Sequence, residues 1–237
     1  MILSIVKLFV IILHTVIMSI ICTIATVITR SNAVFDAIVG FFYQGLLTIG
    51  GIKVVVEGKE HIPATGSCIF VANHSSHFDI PASMIGIGTT RLRIIYKKEL
   101  ERIPIFGWAM KWTGMYIAIN RGRGTEAQQS LEKAIHRIRN GDSVILYPEG
   151  TRTSDGNLQP FKRGAFNLAV KAGVPIVPVT INGSYRILPK DSFHIKPGTI
   201  SIIIGEPVLP PEEMTKTAEL ELMETVHKRI EQHHIHQ

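Results

Sequence analysis

Thiols are scarce in this chain: Cys22 and Cys68 are its whole cysteine complement. One lies in an apolar segment and the other in a strand-like run, so no disulfide framework is available, and a reducing compartment suits the catalytic part. Neither G-x-x-x-x-G-K-[ST] nor G-x-S-x-G occurs, which argues against a P-loop nucleotide enzyme and a nucleophile-elbow hydrolase. The basic residues are neither interleaved with aromatics nor gathered on a basic helix, so nucleic-acid binding lacks its usual pattern. No internal repeat, low-complexity linker or long charge block marks a second globular domain. Acidic residues are the minority, 19 against 25 Lys plus Arg, and the net charge of +6 favours anionic partners such as lipid headgroups or phosphorylated substrates.

What is abundant is apolar: 46% of the 237 residues, enough for one substantial core plus a membrane attachment. From Leu8 to Thr29 there are 22 residues without a formal charge, which as a helix reach about 33 Å against a hydrocarbon core of about 30 Å. A cleaved signal peptide is the plainer alternative, but the run is long for one and has no convincing small-residue cleavage site behind it. A second uncharged run, Ala37 to Ile52, holds 16 residues and reaches only about 24 Å as a helix. It is expected to lie in the interface or to complete a shallow hairpin rather than to span. A hairpin would leave Lys7, Lys53 and Lys59 on one side, which the positive-inside tendency makes cytoplasmic.

Beyond residue 52, "IKVVVEG", "SCIFVAN", "RLRIIYK", "MYIAINR", "SVILYPE", "VPIVPVTING" and "TISIIIGEP" read as strands. Several are too apolar throughout to have a solvated face, which predicts a sheet covered on both sides. Between them, "TEAQQSLEKAIHRIRNG" carries Leu131, Ala134, Ile135 and Ile138 at helical spacing, with a Thr125 to Gln128 capping box and an Asn140-Gly141 stop. From Pro211 to about His233 an amphipathic closing helix is predicted, with Leu220, Met223, Val226 and Ile230 on one stripe. The alternation makes this an α/β protein. The expected division is residues 1–52 for the hydrophobic attachment helices and 53–237 for the α/β domain.

Functional residues of open α/β sheets collect beyond the carboxyl ends of strands, and three polar clusters stand there: "HSSHFD" after "CIFVAN", "INRGRG", and "YPEGTRTSDG". His74 titrates near neutral pH, and a carboxylate on its other ring nitrogen would fix its tautomer, so His74 with Asp79 is a candidate general base. In a regular helix five residues separate the two side chains by about 140°, so they meet only if the backbone turns between them. Asp79 before Ile80-Pro81 reads equally well as a helix cap. His74, His77 and Asp79 as metal ligands are a weaker reading, because no second cluster completes the shell and "HHIHQ" reads as a solvated terminus. Arg121, Arg123 and Arg152, with backbone N–H groups near Gly150 and Thr151 and with Lys97, Lys98 and Lys162 nearby, could hold a phosphate; solvated strand-end arginines are the plain alternative.

The ordered blocks "NHSSHFD", "GMYIAINR", "YPEGTR" and "VPIVPVTING", together with "KKELERIPIFGW" and "LQPFKRGAF", resemble the glycerolipid acyltransferases that make phosphatidic acid from lysophosphatidic acid. The resemblance covers roughly residues 55 to 185, and the apolar N-terminal pair is similar to the two-helix attachment of bacterial members. It implies a mostly seven-stranded mixed sheet flanked by helices. It also implies that His74 removes the proton from the sn-2 hydroxyl of 1-acyl-sn-glycerol 3-phosphate while Asp79 orients it. The hydroxyl then attacks an acyl thioester, acyl-CoA or acyl carrier protein (acyl-ACP), with no cofactor, no metal and no acyl-enzyme. Arg121, Glu149, Gly150, Thr151, Arg152 and Lys98 are implied to hold the acceptor, with Glu149 expected to position Arg152 or Arg121, since a carboxylate repels phosphate. His77 is a bystander in this reading. The implied partners are lysophosphatidic acid, the thioester donor and membrane lipids, with no nucleic acid, at the cell inner membrane with the catalytic domain facing the cytoplasm. The rivals are an acyltransferase for another lysophospholipid or glycerol 3-phosphate, and a membrane-tethered lipid-binding protein without turnover.

Overall fold

A computed structural model describes residues 2–89, 91–114, 116–120, 124–213 and 215–236. Two helices, α1 (Ile2–Thr29) and α2 (Asn32–Gly50), form a hairpin ahead of the sheet. The turn between them is short because the Ser31 side chain caps α2 by accepting from the Val34 N–H, while Gly51, with φ of 73°, closes its far end. Gly45 is a contact glycine: the His14 ring of α1 fills the notch where a Cβ would stand, and His14 Nε2 lies 3.1 Å from the Phe42 carbonyl oxygen.

The seven predicted strands all form, as β1 (Ile52–Glu57), β2 (Ile69–Ala72), β3 (Leu92–Lys97), β4 (Ile117–Ile119), β5 (Ser143–Leu146), β6 (Ile176–Asn182) and β7 (Gly198–Ile204). They make one mixed sheet in the order β1-β7-β6-β2-β5-β3-β4, parallel at every pair but β6–β7. Every residue of β2 and β6 is buried, as expected for strands covered on both faces. One face packs against the hairpin and α3 (Asp79–Ile87). The other packs against α5 (Thr125–Arg139), α6 (Gly164–Ala172) and α8 (Lys216–Glu231). Two further α-helices among the described residues are α4 (Phe106–Thr113), which packs on α1, and the single turn α7 (Ser184–Ile187).

Two local expectations are corrected. Gly124 precedes α5 and no side chain caps it, so the Thr125 to Gln128 box does not form; Thr125 is already inside the helix. On α8 the buried stripe is Glu219, Leu222, Val226 and Ile230, whereas Leu220 is 47% exposed, because the helix starts at Lys216 under the Thr215 cap and turns Leu222 to the sheet. The histidine tail is solvent-exposed at His233, Ile235 and His236, as expected of a solvated terminus, and is also tethered: Asn182 bonds the backbone of His233 and Ile235, and His234 Nε2 lies 3.1 Å from the Gly156 carbonyl oxygen.

The hairpin is built into the core. Phe35, Val39, Tyr43 and Leu47, spaced four apart on α2, share an apolar cluster with Phe70, Ala72 and Ile202 of the sheet. Near the start of α2, Asp36 pairs at 2.5 Å with Arg93 of β3, whose side chain is 1% exposed and also reaches Asn32. Arg93 lies over the Phe35 ring at 5.4 Å. Asp142, at the head of β5, binds Arg91 and Arg137 and stands 3.9 Å from the Arg93 Nε. A buried guanidinium needs such partners, because an unpaired charge there is strongly destabilising.

Candidate active site

Strand β2 ends at Ala72, and its ladder is continued by a side chain. The Asn73 amide donates to the Ile181 carbonyl and accepts from the Ile181 N–H, at 2.8 and 2.7 Å, standing in for a peptide group beside β6. The main chain is thereby released to turn, and within five residues it brings His74 Nδ1 to 2.8 Å from Asp79 Oδ2. The same oxygen accepts from the Ser75 and Ser76 N–H groups at 2.7 and 2.8 Å. Asp79 thus caps the loop before its own helix rather than the helix, and capping and orientation of His74 are carried by one atom.

The His74 main chain is clamped from the loop after β5. Its N–H donates to Glu149 Oε1 at 2.8 Å, and its carbonyl accepts from the Thr153 N–H at 2.9 Å. The Tyr147 ring stacks on the imidazole, centroids 4.3 Å apart. Burial and the neighbouring Asp79 charge push the Tyr147 phenol well above its ordinary range, so it stays neutral. Imidazole orientation is therefore set by a carboxylate on one edge, an aromatic face beside it and two backbone bonds behind it.

Glu149 corrects the expectation that it positions Arg152; the Arg121 half of that expectation falls outside the described residues. It is 4% exposed, and its Oε1 serves the His74 N–H; Oε2 has no hydrogen-bond partner. Burial raises its carboxyl to about 8, an effect opposed by the N–H groups of His74 and Gln159 and reinforced by Asp79. The folded state therefore holds a proton that the unfolded chain releases between about 4.5 and 8. On this account, stability falls as pH rises through that window. Glu149→Gln keeps the Oε1 acceptor and removes the titration. Thermal melts of both proteins across the window are expected to diverge with rising pH in favour of the variant; parallel curves would refute the buried neutral acid.

The other implied acceptor ligands divide. Gly150 has φ of 76° and its N–H donates to the Tyr147 carbonyl, so that amide is engaged within the turn. Lys162 Nζ lies where a Gly150 Cβ would point. Thr151 is exposed, and Arg152 is close enough to His77 to help burial hold that imidazole below its usual pKa. Lys98 stands at the end of β3, two strands from β2, 3.6 Å from Glu126. Arg121 and Arg123 lie outside the described residues. Asn73, Tyr147 and Thr153 were not singled out from the sequence; the position of Asn73 directly before His74 was the only available hint.

Beside His77 opens an apolar cavity of about 360 Å³, within the size range of ligand pockets. Its walls come from both hairpin helices, α3, β3 and α4, with Cys22, Val39, Ile80, Tyr96 and Met110 among them. It can take a hydrocarbon chain. Among the described residues no three His, Cys, Asp or Glu side chains gather as a metal site requires.

The acyltransferase family profile matches residues 53–182. A chloroplastic 1-acyl-sn-glycerol-3-phosphate acyltransferase of Brassica napus is 36% identical over 158 residues, 66% of this chain and 45% of that protein. The chain thus spans under half the length of that relative. A 1-acyl-sn-glycerol-3-phosphate acyltransferase of Saccharomyces cerevisiae is 31% identical over 221 residues, 92% of this chain and 70% of that protein. The crystal structure of the 1-acyl-sn-glycerophosphate (LPA) acyltransferase PlsC from Thermotoga maritima superposes with a TM-score of 0.80 at 29% identity, covering 98% of this chain and 94% of that one.

Proposed function

Because the chain belongs to the acyltransferase family, we propose that it transfers an acyl group from acyl-CoA or acyl-ACP to the sn-2 hydroxyl of 1-acyl-sn-glycerol 3-phosphate, giving phosphatidic acid. The observation that carries this reading is the His74–Asp79 pair at 2.8 Å, held rigid at the end of β2 beside an apolar cavity. The relatives named for this reaction support the choice of acceptor.

With Nδ1 on Asp79, the Nε2 of His74 is the nitrogen left to take the hydroxyl proton. The freed oxygen attacks the thioester carbonyl, the C–S bond breaks, and the imidazolium returns its proton to the departing thiolate. Asp79 supports the imidazolium through that interval. The chemistry needs neither cofactor nor metal, and the thioester is a substrate. Arg152 and Lys162, with Arg121, are the proposed phosphate ligands.

The membrane reading rests on α1, which is inside out. Ser4, Ser19, Cys22 and Thr26 are buried, while Leu3, Phe9, Leu13, Ile17, Ile20 and Ile24 are exposed. An exposed apolar face of this size calls for lipid. Both hairpin helices are long and apolar enough to cross a bilayer. Yet α2 packs on the α/β domain along its length and α1 packs on α4, so a crossing hairpin would drag polar surface into hydrocarbon. We therefore favour a hairpin lying in one leaflet, the cytoplasmic leaflet of the inner membrane, consistent with Lys7, Lys53 and Lys59 on the domain side and with two unpaired cysteines.

The test is purified protein in vesicles with lysophosphatidate and either acyl-CoA or acyl-ACP, following thiol release and phosphatidate together. Equal appearance of both is expected. Turnover only with glycerol 3-phosphate or another lysophospholipid would change the acceptor. Folded protein that turns over none of them would favour a lipid-binding role.

A further inference from the structure

The chain has two tryptophans, Trp108 and Trp112, one turn apart on α4. Both are exposed, 44% and 61%, with ring centroids 6.0 Å apart. The opposite face of the same helix, Ala109, Met110 and Thr113, is buried and walls the apolar cavity. α4 is therefore apolar on two sides, and its inner side is already used.

The outer side is continuous with the exposed face of α1. Trp112 shares a surface depression with Val27 and Arg30 at the end of α1. Leu100 and Ile103, in the turn before α4, line the cavity and are still 38% and 44% exposed. Arg30, Arg102 and Lys111 lie exposed around this surface. Of the carboxylates in that turn, Glu99 pairs with Lys97, while Glu101 keeps its charge as it accepts the Tyr96 hydroxyl; one carboxylate against three cations leaves the border net positive. Indoles with an apolar body and a polar N–H, bordered by cations, match the headgroup level of an anionic leaflet.

We propose that α4 is a second membrane-docking element: Trp108 and Trp112, with Leu100 and Ile103, enter the headgroup boundary of the leaflet that holds α1. This rests on the leaflet reading of the hairpin and goes beyond it. One helix then links lipid depth to the reaction, because its outer face is seated in the leaflet while its inner face forms a cavity wall. The hairpin supplies attachment, and α4 sets the tilt at which the cavity meets the acceptor.

Since these are the only tryptophans, intrinsic fluorescence reads this surface directly. The full chain is reconstituted in vesicles of phosphatidylcholine and phosphatidylglycerol, with and without phosphatidylcholine brominated near the headgroup end of its chains. Emission is expected to be blue-shifted and quenched roughly twofold or more by the brominated lipid. Trp108→Phe and Trp112→Phe should each keep a quenchable signal, which assigns both rings. Emission open to iodide and untouched by brominated lipid, in protein that sediments with the vesicles, would overturn the proposal and leave the hairpin reading standing. Failure to sediment would remove both. Loss of iodide access through concentration-dependent self-association, without quenching by lipid, would assign the face to a second copy and also overturn it. As a functional readout, the Trp108→Ser/Trp112→Ser double variant is expected to lose roughly tenfold in turnover on vesicle-borne lysophosphatidate. Its turnover on a monomeric short-chain acceptor should be unchanged, and equal losses on both acceptors would count against docking.

Discussion

His74→Ala is expected to lower acyl transfer by about 10² to 10⁴-fold, the range that a positioned acid–base group supplies, with the fold intact. His74 is partly exposed and its backbone clamps are main-chain bonds to Glu149 and Thr153, so alanine keeps them. Asp79→Asn separates charge from geometry at the partner. An asparagine oxygen in the Oδ2 position can still accept from His74, Ser75 and Ser76 but cannot support the imidazolium as a carboxylate does. Its amide would sit where Oδ1 is buried with no hydrogen-bond partner, a penalty of about 1–3 kcal/mol. A folded, slightly destabilised and nearly inactive variant is expected from turnover and thermal melts measured together. Wild-type turnover in either variant would sink the assignment of this pair.

The largest stability effect is expected at Asp142. Its carboxylate is 3% exposed, binds Arg91 and Arg137 directly, and lies near the buried Arg93. Asp142→Ala leaves three guanidinium groups crowded together, and breaking a buried pair from one side costs about 3–5 kcal/mol. Arg93→Met should be milder, because it removes the buried charge itself and Asp36, partly exposed, can take up water. The melting temperatures are expected to order wild type, then Arg93→Met, then Asp142→Ala. The reverse order of the two variants would mean that Arg93 is held by packing on Phe35 rather than by charge.

Much of this architecture was legible from residue pattern. β-branched runs such as "SVIL" and "IVPVTIN" form strands wherever they can be buried, and the polar clusters behind them mark strand ends, where loops are free to carry side chains. Glu149 was misjudged for a physical reason. A carboxylate in a basic, Gly-rich loop suggests an ionic partner, yet burial leaves it as a nearly neutral acceptor for one backbone amide. Leu220 was misassigned because the stripe of a helix depends on the register with which it meets the sheet, and period alone leaves that register open.

The sequence by itself determined the α/β class, the seven strands, the two apolar N-terminal runs and the order of the polar blocks, because each depends on local periodicity and composition. Only the tertiary structure decided that Asn73 releases β2 into a turn and that His74 and Asp79 meet across it. It also decided that the hairpin packs flat on the domain, and that the polar side of α1 faces protein while its apolar side faces outward. Hydropathy records how apolar a face is. Whether protein or lipid covers that face depends on contacts between residues far apart in the chain.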